Sequence, residues 1–512
     1  MTSVFELGYV FELLLLPTIL QWNTLRTLMM RSLVAFILAA SYAVPVKAEC
    51  PDYSDYSEEY HAPFSPGRHN LSYQRPSPEC RTFTSQNVED VVNTLQGVIS
   101  DPDLYRLFQN SYPNTLDTAV RWKGHANGTD EELTFLITGD INAMWLRDSA
   151  NQMQSYLPVL CASSSPDSIA SLYRGVINLQ SRYILTSPYC NSFQPPVESG
   201  IAPAPNPSAN SDKVMPPYSN QSVFECKYEL DSLAAFLEIS TNYYNATQDI
   251  GFFGRYRWID TINAILSVAE AMITQTYAAN GSVNVSPYTF TRLTTRGTET
   301  LANEGIGNPV QNGTGLIRSA FRPSDDATIY QLLIPANMMF SRYLDSASQI
   351  MMQLKGQNDL AYQMQALATN LRAAITAHGI VNVPNHGSVY AYEVDGYGSR
   401  NIMDDANIPS LLSAPFLGYL DRSDPVYQNT RALILSSDNP YFMRGPVINA
   451  IGGPHNGPGY AWPMASIVRI LTSDDDAEII GALKEIVSST DGFGLIHESI
   501  NTFNQSDWTR QW

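Results

Sequence analysis

Between Gly139 and Ser149 the sequence sets Asp140, Trp145, Arg147 and Asp148 close together. A planar indole and a fixed fork of guanidinium donors suit a sugar, which offers an apolar ring face and a rim of hydroxyls. The plain structural alternative is a helix capped near Asp148, with Arg147 and Asp140 paired as a bridge. Two further carboxylates stand apart: Asp231, near the expected start of an amphipathic helix, and Glu498, after the turn Gly494-Leu495-Ile496-His497. Capping would account for the first and a surface lysine for the second. Yet glycosidic bond cleavage needs one protonated carboxyl at the leaving oxygen and a second carboxylate as base or nucleophile. Separation in sequence does not give their separation in space.

More acidic clusters repeat the theme. Arg322-Pro323-Ser324-Asp325-Asp326 reads as a helix start, and Tyr392-Glu393-Val394-Asp395-Gly396 leads towards Met403-Asp404-Asp405-Ala406-Asn407. Each alone fits a cap. The turn Gly452-Gly453-Pro454-His455-Asn456-Gly457-Pro458-Gly459 adds His455 and, shortly after it, Trp462. Interspersed prolines and the absence of a lysine separate this turn from a phosphate-binding loop. The 7 histidines show no paired ligand spacing, so no metal or other cofactor is assigned, although scattered carboxylates could hold calcium.

Helices must position these loops. Val88, Val91, Val92, Leu95, Val98 and Ile99 follow the spacing of one buried helical face, as do Ile262, Ile265, Leu266, Ala269 and Ile273. The sets Ile329, Leu332, Leu333, Ala336 and Phe340, and Ile479, Ile480, Leu483 and Val487, repeat it. Strand alternation is weak, with Thr134 to Thr138 the main exception. The predicted fold is all-α, a helical barrel forming a single large catalytic domain over residues 85–512 with long site-forming loops. A Pro-, Tyr- and Ser-rich arm (49–84) precedes it, and a Pro-, Asn- and Ser-rich surface loop (195–217) is inserted in it.

The chain has 512 residues, with 30 Lys+Arg against 49 Asp+Glu and a net charge of −19. That excludes a basic nucleic-acid binder and favours neutral substrates. Arg31, the apolar run Leu33 to Ala40 and Val46-Lys47-Ala48 read as a signal peptide with cleavage before Glu49, residues 1–28 being an over-long start. No stable membrane span is expected, since Pro17 ends the earlier apolar patch. Glycosylation acceptors at Asn70, Asn127, Asn220, Asn245, Asn280, Asn284, Asn312 and Asn504 agree with a secretory or extracellular protein. Of the 5 cysteines, Cys190 and Cys226 form the attractive pair, because a bridge would staple the loop between them.

Taken in order, Tyr112 to Thr118, Thr138 to Ser149, Tyr228 to Ser232, Arg322 to Asp326, Met403 to Asn407, Gly452 to His455 and Ile496 to Ser499 resemble glycoside hydrolase family 125, over roughly Leu104 to Trp512. The resemblance implies an (α/α)6 barrel and an exo-α-1,6-mannosidase that inverts the anomeric centre without a metal, acting on terminal mannose of mannans or N-glycans. By motif position Asp231 matches the general acid and Glu498 the general base. Trp145, Arg147, Asp148, Asp404, Asp405, Asn407, His455 and Trp462 would line the mannose pocket. Like-charge repulsion from Asp404 is expected to keep Asp231 protonated, while Glu498 stays ionised. The resemblance also implies an aromatic-rich helix beyond Thr509-Arg510-Gln511-Trp512, and a barrel without it is expected to be less stable. Two other classes compete: a secreted mannan-binding protein without catalysis, which would lack the acid or the base, and a calcium-dependent α-1,2-mannosidase, which chelators would inhibit.

Overall fold

The computed structural model describes residues 50–311 and 313–511. The expected signal segment and the acceptor Asn312 lie outside the described residues. Among the described residues eleven helices of nine residues or more carry the domain: α1 (Gln86–Gln96), α2 (Pro102–Ser111), α3 (Leu146–Gln154), α4 (Ile169–Thr186), α5 (Leu230–Thr247), α6 (Trp258–Met272), α7 (Ile334–Gln353), α8 (Asn358–Ala374), α9 (Pro425–Ile434), α10 (Pro463–Leu471) and α11 (Asp476–Ser488). Helix α5 is the hub, packed on α3, α4 and α7, while α7 also packs on α8, α4 on α6 and α10 on α11. From Leu230 to Thr241 every α5 residue is buried. A helix enclosed on all sides has no polar stripe, so the expected amphipathic helix at Asp231 is instead a central one.

The all-α expectation holds in part: the described residues are rich in helix but also carry small sheets. Seven sheets of two or three strands join the helices among the described residues. Strands β1 (Val120–His125) and β2 (Glu132–Leu136) form a hairpin, and β2 lies against α4. Strands β3 (Met144–Trp145), β4 (Ser192–Phe193) and β6 (Val223–Glu225) form a second sheet, and β5 (Lys213–Met215) pairs with β7 (Thr289–Thr291). Strands β8 (Leu332–Leu333), β9 (Glu393–Val394) and β10 (Arg400–Asn401) form another. The last sheet of this set joins β11 (Tyr460–Ala461), β12 (His497–Asn501) and β13 (Asn504–Gln511). Many of these strands are two residues long, too short for alternation to register in sequence.

Two other expectations shift. Arg322 to Asp326 opens no helix: the segment is a tight turn closed by Arg322 N–H donating to Asp326 O (2.8 Å), with Asp325 at φ +66°. Ile329, Leu332 and Leu333 precede α7, and Ile329 is exposed. The remaining stripes fall on α1, α6, α7 and α11, except that Val98, Ile273 and Ile480 face solvent.

Residues 50–85 are tied down by charge. Buried Arg75 binds Asp117 through Nε (2.7 Å) and Nη2 (3.1 Å) and also Glu89, Asp103 takes Ser65 Oγ, and Cys50 bridges Cys80. Cys190 and Cys226 form the expected bridge, and Cys161 is free. The acceptors Asn70, Asn127, Asn220, Asn245, Asn280 and Asn504 are exposed, and Asn284 is half-buried. No helix among the described residues is long and apolar enough to cross a membrane.

Candidate active site

A cavity of about 270 Å³ opens at the loop ends of α3, α5 and α10. Trp145, Arg147, Asp148, Asn407, His455, Trp462 and Glu498 all line it, though they come from four distant stretches of chain. Trp145 is set by the pairing of β3 with Ser192 on β4, and α3 begins at the next residue, placing Arg147 and Asp148 in its first turn. Neither Asp148 nor Asp231 caps its helix; Ser319 Oγ accepts the Leu230 N–H instead (3.0 Å).

The carboxylates are organised around Arg147. Its Nη1 donates both to Glu229 Oε2 (2.7 Å) and to Asp231 Oδ2 (2.9 Å), while Nη2 lies 3.3 Å from Asp148 Oδ2. The bridge to Asp140 considered from sequence does not form, because Asp140 pairs with Arg510 (3.4 Å). Asp231 is wholly buried behind Arg147, off the cavity wall, and its Oδ1 accepts from no other residue. Lys227 approaches Asp325 (3.7 Å) and Glu225 (3.5 Å) at the cavity's edge.

Arg147 thus faces three buried carboxylates, Asp148, Glu229 and Asp231, an arrangement that favours protonation among them. Burial pushes Asp231 up; Arg147 opposes this and Asp148 adds to it. Burial also pushes Glu229 well up, against Arg147 and with Asp231, and raises Asp148 against Arg147. Asp325 goes the other way: burial would raise it, but Lys227, Arg147 and His455 bring it down to about 2. Burial outweighs the cation at Asp231, whereas the cations outweigh burial at Asp325.

Glu498 sits on β12, the middle strand of its sheet, and accepts from Thr509 Oγ1 on β13 (3.0 Å). Thr509 is fixed in turn by Ser499 Oγ (2.8 Å), and Arg510 Nη1 lies 3.8 Å from Glu498 Oε1. His455 lies 3.8 Å from Asp326; burial works against its charge, but Asp326 outweighs it and raises its pKa. The glycine turn is there for close approach: a Cβ on Gly452 would meet Tyr460 O at 2.2 Å.

Asp404 and Asp405 are corrections to the expected pocket lining, since both are buried behind the wall. Asp404 accepts from the Leu411 (2.8 Å) and Leu412 (2.9 Å) N–H groups and is pushed up to about 8 by burial against those bonds. Asp405 Oδ1 takes both the N–H and the amide of Asn407 (3.1 Å each), and its Oδ2 takes Ser324 Oγ (3.1 Å). It is Asp148, not Asp404, that adds to the shift at Asp231. Sequence reasoning did not select Lys227, Glu229, Asp325 and Arg510, nor Asn206, Ser208 and Phe224, which also line the cavity. The Cys190–Cys226 bridge was the available signal for Lys227 and Glu229, which follow it closely.

The indole Nε1 atoms of both Trp145 and Trp462 are buried without a partner among the described residues. Buried donors are normally satisfied, so two orphaned donors in one carboxylate-lined cavity mark a place for a hydroxyl-bearing ligand. An aromatic wall, orphaned donors and a buried carboxyl whose pKa is raised suit a glycoside hydrolase. The chain belongs to the metal-independent α-mannosidases of glycoside hydrolase family 125, whose family model matches residues 101–512. It is 46% identical over 488 residues to the meiotically up-regulated gene 157 protein of Schizosaccharomyces pombe, covering 94% of each chain. It also matches a Streptococcus pneumoniae protein, from a family of metal-independent α-mannosidases, solved as a non-productive complex with α-1,6-mannobiose. That match has a TM-score of 0.74 and 31% identity, and covers 84% of this chain and 95% of the other.

Proposed function

We propose that this α-mannosidase removes single mannose residues from non-reducing α-1,6 ends, with inversion and without a metal, on an (α/α)6 barrel of helix pairs. The observation that carries the reading is the cavity itself, where orphaned tryptophan donors share one lining with Arg147, Asp148 and Glu498. The α-1,6-mannobiose bound by the pneumococcal relative supports the linkage. Asp231, whose pKa burial raises, delivers its proton to the glycosidic oxygen. Glu498, oriented by Thr509, takes a proton from water attacking the opposite face of the anomeric carbon. The C1–O bond breaks as the water–C1 bond forms, so no glycosyl-enzyme arises. Arg147, Asn407 and the two indoles hold the terminal sugar, and Asp405 positions Asn407. The two disulfides and the exposed acceptors support folding in the secretory pathway.

Asp148 supports a second reading, because it lines the cavity whereas Asp231 does not. In that assignment Asp148 is the acid and Asp231 tunes it through Arg147.

Linkage-defined mannobioses test the function. The purified protein is expected to cleave only the α-1,6 isomer, at the same rate with and without EDTA. Cleavage confined to α-1,2 linkages, or inhibition by EDTA reversed by calcium, would contradict it.

A further inference from the structure

We propose that the loop of residues 195–217 walls a second carbohydrate subsite, which holds the part of an α-mannoside chain lying beyond the bond to be cleaved; this rests on the function proposed above. Next to the active-site cavity lies another of about 480 Å³, bounded by Pro205, Asn210, Tyr218 and Gln221. The two cavities share Asn206 and Phe224 in their linings, so they adjoin at the foot of the loop. At the junction the Phe224 ring lies 5.5 Å from that of Trp145, extending the aromatic floor outward.

The lining chemistry selects the ligand. The second cavity contains aromatic rings, prolines and side-chain amides, and not one charged residue. Rings and amides match the faces and hydroxyls of a neutral sugar, whereas a phosphorylated glycan would find no cation there.

The loop is built as a wall. Gln194 clamps it with two bonds, Nε2 to Ala204 O (2.9 Å) and Oε1 from Ala204 N–H (2.8 Å). Asn206 Nδ2 donates to Phe224 O (3.1 Å), joining the loop to β6. Arg292 grips Asp212 through two bonds of 2.7 Å, both side chains being buried, and the Cys190–Cys226 bridge closes the base. A surface held in this way binds without a large ordering cost. The sugars assigned to it are those beyond the terminal mannose, in chains of three or more residues.

The test compares kcat/KM for an aryl α-mannoside and for α-1,6-linked mannobiose, mannotriose and mannotetraose. Enzyme freed of N-glycans is used, because Asn220 sits on the groove's rim. The native protein is expected to gain about tenfold from biose to tetraose, roughly 1.4 kcal/mol of extra transition-state binding. Tyr218→Ala, and separately Asn210→Ala, should keep aryl-mannoside turnover while reducing that gain to about threefold or less. The retained aryl-mannoside turnover also reports that each variant has folded. Equal kcat/KM for biose and tetraose in the native protein would overturn the subsite alone, as would an undiminished gain in both variants. Failure to hydrolyse any mannoside would overturn the underlying function and the subsite with it.

Discussion

One nitrogen of Arg147 serves both Glu229 and Asp231, and that sharing sets the behaviour expected of each carboxyl. If Asp231 protonates the leaving oxygen, Asp231→Asn loses about 10²–10⁴-fold on mannobiose but far less on an aryl mannoside with a good leaving group. Glu498→Gln loses activity on both. Parallel losses for Asp231→Asn across leaving groups would refute its role, and the selective pattern in Asp148→Asn would move the role there. The pH profile carries a second expectation. Asp231 has its folded pKa raised, so the acid is in its working form at low pH and is lost as pH rises through that value. Removing the negative charge of Asp148 lowers the pKa, so the basic limb of kcat/KM in Asp148→Asn should move to more acidic pH. A limb that stays in place contradicts the electrostatic coupling.

At the scale of elements, α5 bears both the proposed acid, Asp231, and a second buried carboxyl, Glu238, whose pKa burial pushes up to about 7 against hydrogen bonds with Tyr343 and Gln154. Its stabilising contribution is full below the unfolded value near 4.3 and is lost as pH rises through about 7, a swing of about 4 kcal/mol. Glu238→Gln has no such charge to bury. Between pH 5 and pH 8 the melting temperature of the native protein should therefore fall relative to that variant, and parallel curves would contradict this. The same helix shows what the sequence could not display. One-sided stripes such as Val88, Val92 and Leu95 on α1 were legible because the opposite face is wet. Burial of α5 on all sides erased its stripe, and two-residue strands such as β3 left no alternation. Chemistry was more legible than architecture. Trp145, Arg147, Asp148 and Glu498 are chemically unusual where they stand, whereas Glu229 and Asp325 resemble ordinary helix-start and turn residues until Arg147 and Lys227 are brought beside them. Asp404 and Asp405 misled for the same reason: adjacent in sequence to Asn407, they face backbone and neighbouring side chains instead of the cavity.

For the whole molecule, the Cys190–Cys226 bridge links the charge cluster to the loop over the second cavity. Replacing both cysteines by alanine should cost about 2–4 kcal/mol of stability through the freed loop. It should also raise KM for longer mannosides more than for an aryl mannoside. Unchanged melting and KM would show that the bridge fixes neither. Secretion makes a separate demand: expressed in a eukaryotic host, the protein should lose mass on endoglycosidase treatment, and an unglycosylated product would contradict the proposed compartment.

The central claim is direct displacement by water between Asp231 and Glu498, and the anomer released reports on it. Proton NMR during the first minutes of α-1,6-mannobiose hydrolysis should show β-mannose appearing first, with the α-anomer growing in only by mutarotation. Initial release of α-mannose would mean two displacements and a covalent intermediate, and would contradict the account.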